Sequence, residues 1–383
     1  MRVAFTMIGG RHWLGGYNYL FNLFQVLKKY GTGQVQPVLF VGDDFPESDL
    51  EPFATIGHEI RRSTAFDRRR QHRSLAAALI IGKDRQAEHI FQAHNIDVVF
   101  EVANFFGWRF AFPTVAWIPD FQHRQLSYMF SKNAYWRREL GLRAQVKAGR
   151  TIMLSSEDAR KSCEQFYPSS GGRTHVVRFA VQLDEAILSV DQEEVRVRHG
   201  LPESYIYLPN QFWKHKNHRI VIEALALFPN SRLVVASTGH GVDPRHPALY
   251  EELRSLVNRN DLQEQFRFIG MVSYSDVIAL MRGATAVLNP SLLEGWSTTV
   301  EEARALGVHL ILSDIAVHRE QMGNAAQYFH PDSPEELAVL LREQVSASRP
   351  NKDYRQAEAA ANTERLYDFA RNLEAVFAQA IHI

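Results

Sequence analysis

The chain has 383 residues, 45% hydrophobic and 22% charged, with 43 basic side chains balancing 43 acidic ones. That is ordinary for a globular protein and longer than one hydrophobic core usually supports, so two domains are expected. No run of about 18 uninterrupted apolar residues occurs, which excludes a transmembrane helix, and the one cysteine, Cys163, excludes an intramolecular disulfide and every cysteine-based metal cluster.

The opening MRVAFTMIGG reads as a first strand, without the longer apolar run and cleavage pattern of a secretory signal. A cytoplasmic protein is expected. Charge divides unevenly, with 24 Lys and Arg against 18 Asp and Glu in residues 1–190, and 19 against 25 in the remainder. Such a division can steer an anionic ligand or surface toward the first half, and scatter of solvated surface charge explains it almost as well.

Short β-branched runs alternate with helical periodicity along the whole chain, the pattern of parallel α/β domains. Strands are expected at Val3–Ile8, Val35–Val41, Val98–Val102, Thr114–Ile118, Thr151–Leu154 and His175–Phe179. A second set is expected at Tyr205–Leu208, Arg232–Ala236, Phe266–Ile269, Ala286–Leu288 and Val308–Leu312. Val181 to Glu194 reads as the linker between the sets, and Glu358 to Ile383 as a terminal helix with no strand after it. Ligands of open parallel sheets bind beyond the strand C-termini, so two such sheets place the expected site between the domains.

The segment MIGGRHWLGGYNYLFNL follows the first strand, and its Gly9, Gly10, Gly15 and Gly16 let backbone approach a ligand closely. The spacing is not the G-x-G-x-x-G fingerprint, so no nicotinamide cofactor is supported. Next, RRSTAFDRRRQHRSL spans Arg61 to Leu75 and runs into AAALIIG. A basic run beside an apolar one can lie on an anionic bilayer, meet a lipid diphosphate or acidic polysaccharide, or be a solvated loop. No nucleic-acid-binding motif accompanies these arginines, so nucleic acid is not an expected partner. After the strand ending near Ile118 comes AWIPDFQHRQLSYMF, whose Asp120 and His123 are candidate site residues. Simple strand-end capping explains Asp120 as well.

In the second half, PNQFWKHKNHRIVIEAL runs from a strand into a helix near Asn217, and Lys214, His215 and Lys216 crowd the turn. The turn thus gathers cations at the start of a helix, where an anion can be neutralised. No Asp-x-Asp or H-E-x-x-H pattern occurs, so no metal site is expected. Finally, NPSLLEGWSTTVEEARALGVHLILSD, Asn289 to Asp314, is a strand, a loop tipped by Glu294 and Gly295, a helix opening near Ser297–Thr298, and a strand after Gly307. The helix N-terminus suits a phosphate, and the carboxylates of Glu294 and Glu302, eight positions apart, accept hydrogen bonds from hydroxyls. Phosphate next to sugar hydroxyls describes a nucleotide sugar.

This last segment resembles the E-x7-E signature of retaining family 4 glycosyltransferases, the group 1 enzymes of the GT-B fold, and the resemblance extends over nearly the whole chain. It implies two Rossmann-like domains facing each other across a deep cleft. The first is acceptor-side, residues 1–185; the second, 186–364, binds the nucleotide sugar; a helix at about 365–383 packs back on the first. Glu294 is implied to contact hydroxyls of the transferred sugar and Glu302 the ribose, with the backbone of Gly295, Trp296, Ser297, Thr298 and Thr299 facing sugar and diphosphate. Lys216 matches a diphosphate-binding lysine. The arginine expected six positions earlier is Asn210 here, so either Lys214 takes its place or the site works with one cation and helix amides. Gly15 and Gly16 are implied to lie on a loop beside the donor phosphate, Trp13 and His123 on the acceptor side, and Met271, in the loop after Phe266–Ile269, at the base-binding edge. Where many relatives carry His-Asp at the end of the fourth strand, this chain has Pro119 and Asp120, so no general base is assigned.

The resulting expectation is a cytoplasmic, retaining, metal-independent and cofactor-free transferase. It moves a hexose from a nucleotide diphosphate sugar to a hydroxyl of a glycan or lipid-linked acceptor, in polysaccharide biosynthesis. Uridine is the first choice of base, with guanosine and thymidine open, and a peripheral contact with the inner face of the membrane is the second reading of the arginine run. Two rivals stay open: a nucleotide-sugar epimerase of the same architecture, and a non-catalytic nucleotide- or glycan-binding module.

Overall fold

A computed structural model describes residues 1–7, 14–102, 104–229 and 231–382. The chain forms two units, one of Met1–Gln182 with Arg365–Ile383, the other of Leu183–Glu364.

The first unit is built on seven strands: β1 (Arg2–Met7), β2 (Gln36–Val41), β3 (Glu59–Arg62), β4 (Val98–Val102), β5 (Thr114–Trp117), β6 (Thr151–Leu154) and β7 (Thr174–Val176). They pair in the order β3-β2-β1-β4-β5-β6-β7, every pair parallel. The central strands are predominantly apolar because helices cover both faces. β4, Val-Val-Phe-Glu-Val, is wholly buried. Its one charge, Glu101, accepts hydrogen bonds from Arg150 at 3.2 and 3.3 Å and from the Phe106 amide. A buried carboxylate needs that pairing.

The second unit carries β8 (Ile206–Leu208), β9 (Val235–Thr238), β10 (Phe266–Gly270), β11 (Ala286–Asn289), β12 (His309–Ser313) and β13 (Gln327–Phe329). Their order is β10-β9-β8-β11-β12-β13, again all parallel. Separate apolar clusters pack on the two sides of this sheet, one around Ile206, Leu208 and Leu288, the other around Tyr207, Val287 and Leu310. Neighbouring residues of one strand fall in different clusters because side chains alternate across a strand.

Three differences from the sequence reading have physical causes. β3 reads Glu-Ile-Arg-Arg and β13 Gln-Tyr-Phe; both are short edge strands, where charge or polarity guards against further pairing and hides the strand signal. The strand expected from Arg232 begins at Val235. The linker segment contains two short helices, Glu185–Leu188 and Gln192–Arg198, the second capped by Asp191.

The terminal helix begins at Lys352, earlier than composition suggests, and runs to Ile381. Its later residues complete the core of the first unit. Phe377 packs edge-on to Phe5 and Phe100, and Phe369 lies beside Tyr19 and Phe179. Glu374 accepts hydrogen bonds from the amide and hydroxyl of Thr32, both at 2.9 Å.

Candidate functional site

In the second unit the strand order reverses at β8, which pairs with β9 on one side and β11 on the other. Crossovers leave β8 and β11 in opposite directions there, and such a switch point opens a crevice beyond the strand ends. Two asparagines stand at it. Asn210, just after β8, donates from Nδ2 to Oδ1 of Asn289, the last residue of β11, at 3.2 Å. Asn289 donates in turn to the Ser297 hydroxyl at 2.8 Å, and its Oδ1 also accepts from the Ser291 hydroxyl at 2.7 Å. The loop leaving β11 is thereby tied to its own strand.

Ser297 then caps the helix Thr298–Ala305, accepting from the Val300 amide. Gln321, on the helix Ala316–Met322, grips the backbone of Ser297 from both sides: its Oε1 accepts the amide and its Nε2 donates to the carbonyl. The first turn of a helix has no internal acceptors for its amides, so Thr298 and Thr299 offer N–H groups at a place fixed by Asn289 and Gln321. Thr298 is exposed.

The two glutamates sit in opposite surroundings. Glu294 is 11% exposed and its Oε1 lies 2.5 Å from Lys216 Nζ. Burial raises its pKa, but the charges of Lys216 and His215 and hydrogen bonds from Lys216 and Ser291 outweigh burial and hold it below the usual carboxylate range. Glu302 is 6% exposed, and its carboxyl accepts one hydrogen bond among the described residues, from the Tyr274 hydroxyl at 2.8 Å. Burial pushes it from 4.5 up to about 7, against the smaller effect of that hydrogen bond. At neutral pH the site thus holds one ionised carboxylate with its cation, and one carboxyl close to half-protonated. Environments that drive like groups apart in this way mark sites of chemistry or binding.

Lys216 ends a single helical turn, Lys214–Lys216, followed by Asn217 in the left-handed conformation, whose Nδ2 is fastened to the Pro331 carbonyl. The loop after β9 closes on Asn210. Gly239 has φ 150°, and a Cβ there would lie 2.3 Å from the Asn210 carbonyl oxygen, so a side chain has no room.

The structure thus brings Glu294 and Lys216 into contact, and puts Asn210 and Thr299 within 3.4 Å of each other. Asn210 is buried, and its amide group is bonded to Asn289 and Thr299, which fastens the strand ends together. Lys214 is exposed; its amide donates to Asp243 and its carbonyl accepts from the Asn217 amide. Trp296 is buried, and Met271 is exposed after Gly270.

The first-unit residues lie as follows. Gly15 and Gly16 open the helix Leu14–Tyr30 and are not on a loop. Trp13, with Gly9 and Gly10, lies outside the described residues. Asp120 accepts from the Gln122 amide at 2.8 Å and from Arg138 at 2.6 Å, so it caps its turn and carries an ion pair. His123 is fully buried, and its Nε2 is 3.0 Å from Glu139, which also binds Arg124, Arg143 and Tyr167. Burial, the largest effect, lowers the pKa of that histidine. Its observed part is in a buried polar cluster.

Sequence reasoning missed Asn289, Gln321 and Tyr274. Each acts through a partner at least eight residues away, and no local pattern announces such a pairing.

Residues 191–363 match the family described as "Glycosyl transferases group 1". The O-antigen chain mannosyltransferase RfbU of Salmonella typhimurium is 24% identical over 203 residues, covering 53% of this chain and 52% of that protein. The D-inositol 3-phosphate glycosyltransferase of Mycobacterium tuberculosis is 24% identical over 180 residues, covering 46% and 37%. The matches thus span about half, or less, of these relatives. Among solved structures, Anabaena Alr3699/HepE in complex with UDP and glucose superposes with a TM-score of 0.71 at 15% identity, over 99% of this chain and 100% of that one. A glycosyltransferase from Rickettsia africae ESF-5 also reaches 0.71, at 15% identity, over 98% and 97%. The fold shared is that of two parallel-sheet α/β domains of the GT-B class.

Proposed function

We propose, from the premise that residues 191–363 form a group 1 glycosyltransferase domain, that this protein transfers a hexose from a nucleotide diphosphate sugar to an acceptor hydroxyl, with retention of configuration and without a metal. The observation that carries this reading is the pair Glu294 and Glu302, held in opposite electrostatic states on one loop and helix at the strand-order switch point.

Each part has a task. Glu294 accepts hydroxyls of the transferred sugar. Glu302, which has few donors of its own, accepts the ribose hydroxyls and ionises as it does so. Lys216 and the amides of Thr298 and Thr299 stabilise the leaving diphosphate, the work a divalent ion does elsewhere. Lys216 is bonded to Glu294, so the phosphate must compete for it. The bond from C1 of the sugar to the diphosphate oxygen breaks, and the acceptor oxygen bonds to C1 on the same face. The acceptor proton passes to the released phosphate oxygen, so no side-chain base is required. Catalysis then consists of positioning and charge stabilisation.

The acceptor is a glycan or lipid-linked hydroxyl, with transfer serving glycan assembly in the cytoplasm; the O-antigen mannosyltransferase relative supports this class. The UDP and UDP-glucose complexes of the Anabaena neighbour favour uridine as the base.

The test is thermal unfolding against UDP, GDP, TDP and ADP, each with chelator present. A ligand bound only by the folded state at a hundredfold excess over its Kd adds about 2.7 kcal/mol. One nucleotide is expected to shift the wild type and not Glu302→Ala. Absence of any shift would overturn the reading. With the nucleotide sugar, Glu294→Ala is expected to lower transfer while binding persists. Epimerised donor formed without acceptor would favour the epimerase instead.

A further inference from the structure

The switch point of the second unit occupies one end of its sheet, beyond the C-terminal ends of β8 and β11. Every strand there is parallel, so the N-terminal ends lie together at the opposite end, and three arginines gather among them. Arg282 lies in the last turn of the helix Tyr274–Gly283, which leads into β11. Arg349 donates to the carbonyl of Glu203, in the loop before β8. Arg355, on the terminal helix, packs on the turn before β12: Gly307 has φ 59°, and a Cβ there would be 2.7 Å from the Arg355 Cα. With strands of 3 to 5 residues at about 3.3 Å each, roughly 10–16 Å of sheet lies between this group and the end that carries Glu294.

Arg282 ties the group together. Its guanidinium donates to the carbonyls of Leu188 and Val190, and its own carbonyl accepts from Arg355 at 3.1 Å. The segment that opens the second unit and the helix that closes it are thus fastened to one residue.

The charges of these arginines are not cancelled. Among the described residues, their four side-chain hydrogen bonds all go to backbone carbonyls, and none of the three is paired with a carboxylate. A carbonyl satisfies a donor but brings no negative charge. The nearby Glu193 is ion-paired with Arg196. All three arginines are half-buried, and the Nε of Arg355 is buried with no hydrogen-bond partner among the described residues. Burial, and after it the charges of Arg349 and Arg282, lower the pKa of Arg355, so the three cations stand close enough to repel. Such repulsion destabilises the ligand-free arrangement, and an anion relieves it. Each guanidinium presents five N–H groups in a planar fork that fits two oxygens of a phosphate.

We propose that Arg282, Arg349 and Arg355 form a binding site for a small phosphate-bearing anion, a diphosphate or a phosphomonoester dianion, separate from the nucleotide crevice. Three cations match the charge of such an anion better than that of a monoanion. The bound anion bridges side chains from three parts of the second unit and rigidifies the segments that open and close it. The site does not depend on the transferase reading.

The test is calorimetric titration of the full chain with pyrophosphate and with inorganic phosphate, in saturating UDP so that the nucleotide crevice is filled. Pyrophosphate is expected to bind at one site per chain, more tightly than phosphate. Arg349→Ala, which removes one fork and leaves the core intact, should weaken it ~10-fold or more, as loss of a charge-assisted hydrogen bond does. Arg355→Lys keeps the charge and loses the fork, so it should weaken binding by less. Arg259→Ala, an exposed cation at the end of the helix Leu249–Arg259, should leave it unchanged. Melting temperatures check that each variant folds. Pyrophosphate should also slow hydrogen exchange in residues 185–190 and 352–358 of the wild type and not of Arg349→Ala. No binding of pyrophosphate, or equal binding by wild type and Arg349→Ala, overturns the proposal. Cosedimentation with phosphatidylglycerol vesicles that Arg349→Ala abolishes, without pyrophosphate binding, overturns it in favour of a lipid headgroup. If UDP gives no response of its own, the transferase reading falls, and the arginine dependence of pyrophosphate binding still decides this site.

Discussion

Glu302 shows what a single residue's surroundings dictate. Its folded-state pKa is raised from 4.5 to about 7 because burial disfavours the charged form. A raised pKa means the folded state holds the proton more tightly than the unfolded state. The associated stability is present in full below about 4.5 and is lost as pH climbs through about 7. At 1.36 kcal/mol per pKa unit, the loss is on the order of 3 kcal/mol. Glu302→Gln, uncharged at every pH, should therefore make the ligand-free protein more stable than wild type at pH 8, by up to about 3 kcal/mol, and leave it near wild type at pH 4.5; urea melts at the two pH values measure this. Ribose hydroxyls favour the ionised form, so wild-type UDP affinity should fall as pH drops below 7 while the variant stays weak throughout. The pair Lys216 and Glu294 behaves differently, since each compensates the other's buried charge. Lys216→Met leaves Glu294 uncompensated, at a cost of about 3–5 kcal/mol. Adding Glu294→Gln should recover part of that loss, and a double-mutant cycle in urea would show the coupling; strictly additive effects would mean the ion pair is not formed in solution.

At the scale of elements, the helix Thr298–Ala305 and the ends of β8 and β11 work as one device. Asn210 is its least obvious part. The family resemblance puts an arginine at this position, and a reader of the sequence would restore one. The structure argues against it: Asn210 is 3% exposed and bonded to Asn289 and Thr299. Asn210→Arg should break both bonds, bury an unpaired cation and destabilise the protein by roughly 2–5 kcal/mol; a guanidinium chloride melt measures it. A stable variant with tighter UDP binding would refute this account. The same device shows where the sequence was readable. A strand, a turn-rich loop, a helix and a second strand between Asn289 and Asp314 were legible because apolar periodicity and Gly307 mark them locally. The tie from Gln321 to Ser297 and that from Tyr274 to Glu302 were not, since hydrogen bonds across 24 and 28 residues leave no periodic trace. The edge strands β3 and β13 were hidden for the opposite reason, because edges dispense with the apolar run that makes central strands visible. In the first unit, Asp120 and His123 were chosen by position along the chain. Their structural partners, Arg138 and Glu139, lie on the following helix, where sequence reasoning had no cause to look.

For the whole molecule, the consequence of two self-contained cores is that stability and ligand response belong to different parts of the chain. The terminal helix contributes Phe369, Leu373 and Phe377 to the first unit, all fully buried. Removing a buried phenylalanine side chain costs about 3–5 kcal/mol through lost transfer energy and the cavity left behind. Phe377 meets Phe5 on β1 and Phe100 on β4, at ring-centroid distances of 5.8 Å each, so its loss falls on the centre of that sheet. The residues proposed for the nucleotide lie wholly in the second unit. Scanning calorimetry is therefore expected to resolve two transitions. UDP should raise one of them, Phe377→Ala should lower the other, and the UDP-induced shift should be the same size in the variant as in the wild type. A single transition moved by both UDP and Phe377→Ala would instead mean that the units unfold as one cooperative body. In that case the apolar clusters, though separate along the chain, would depend on each other for stability.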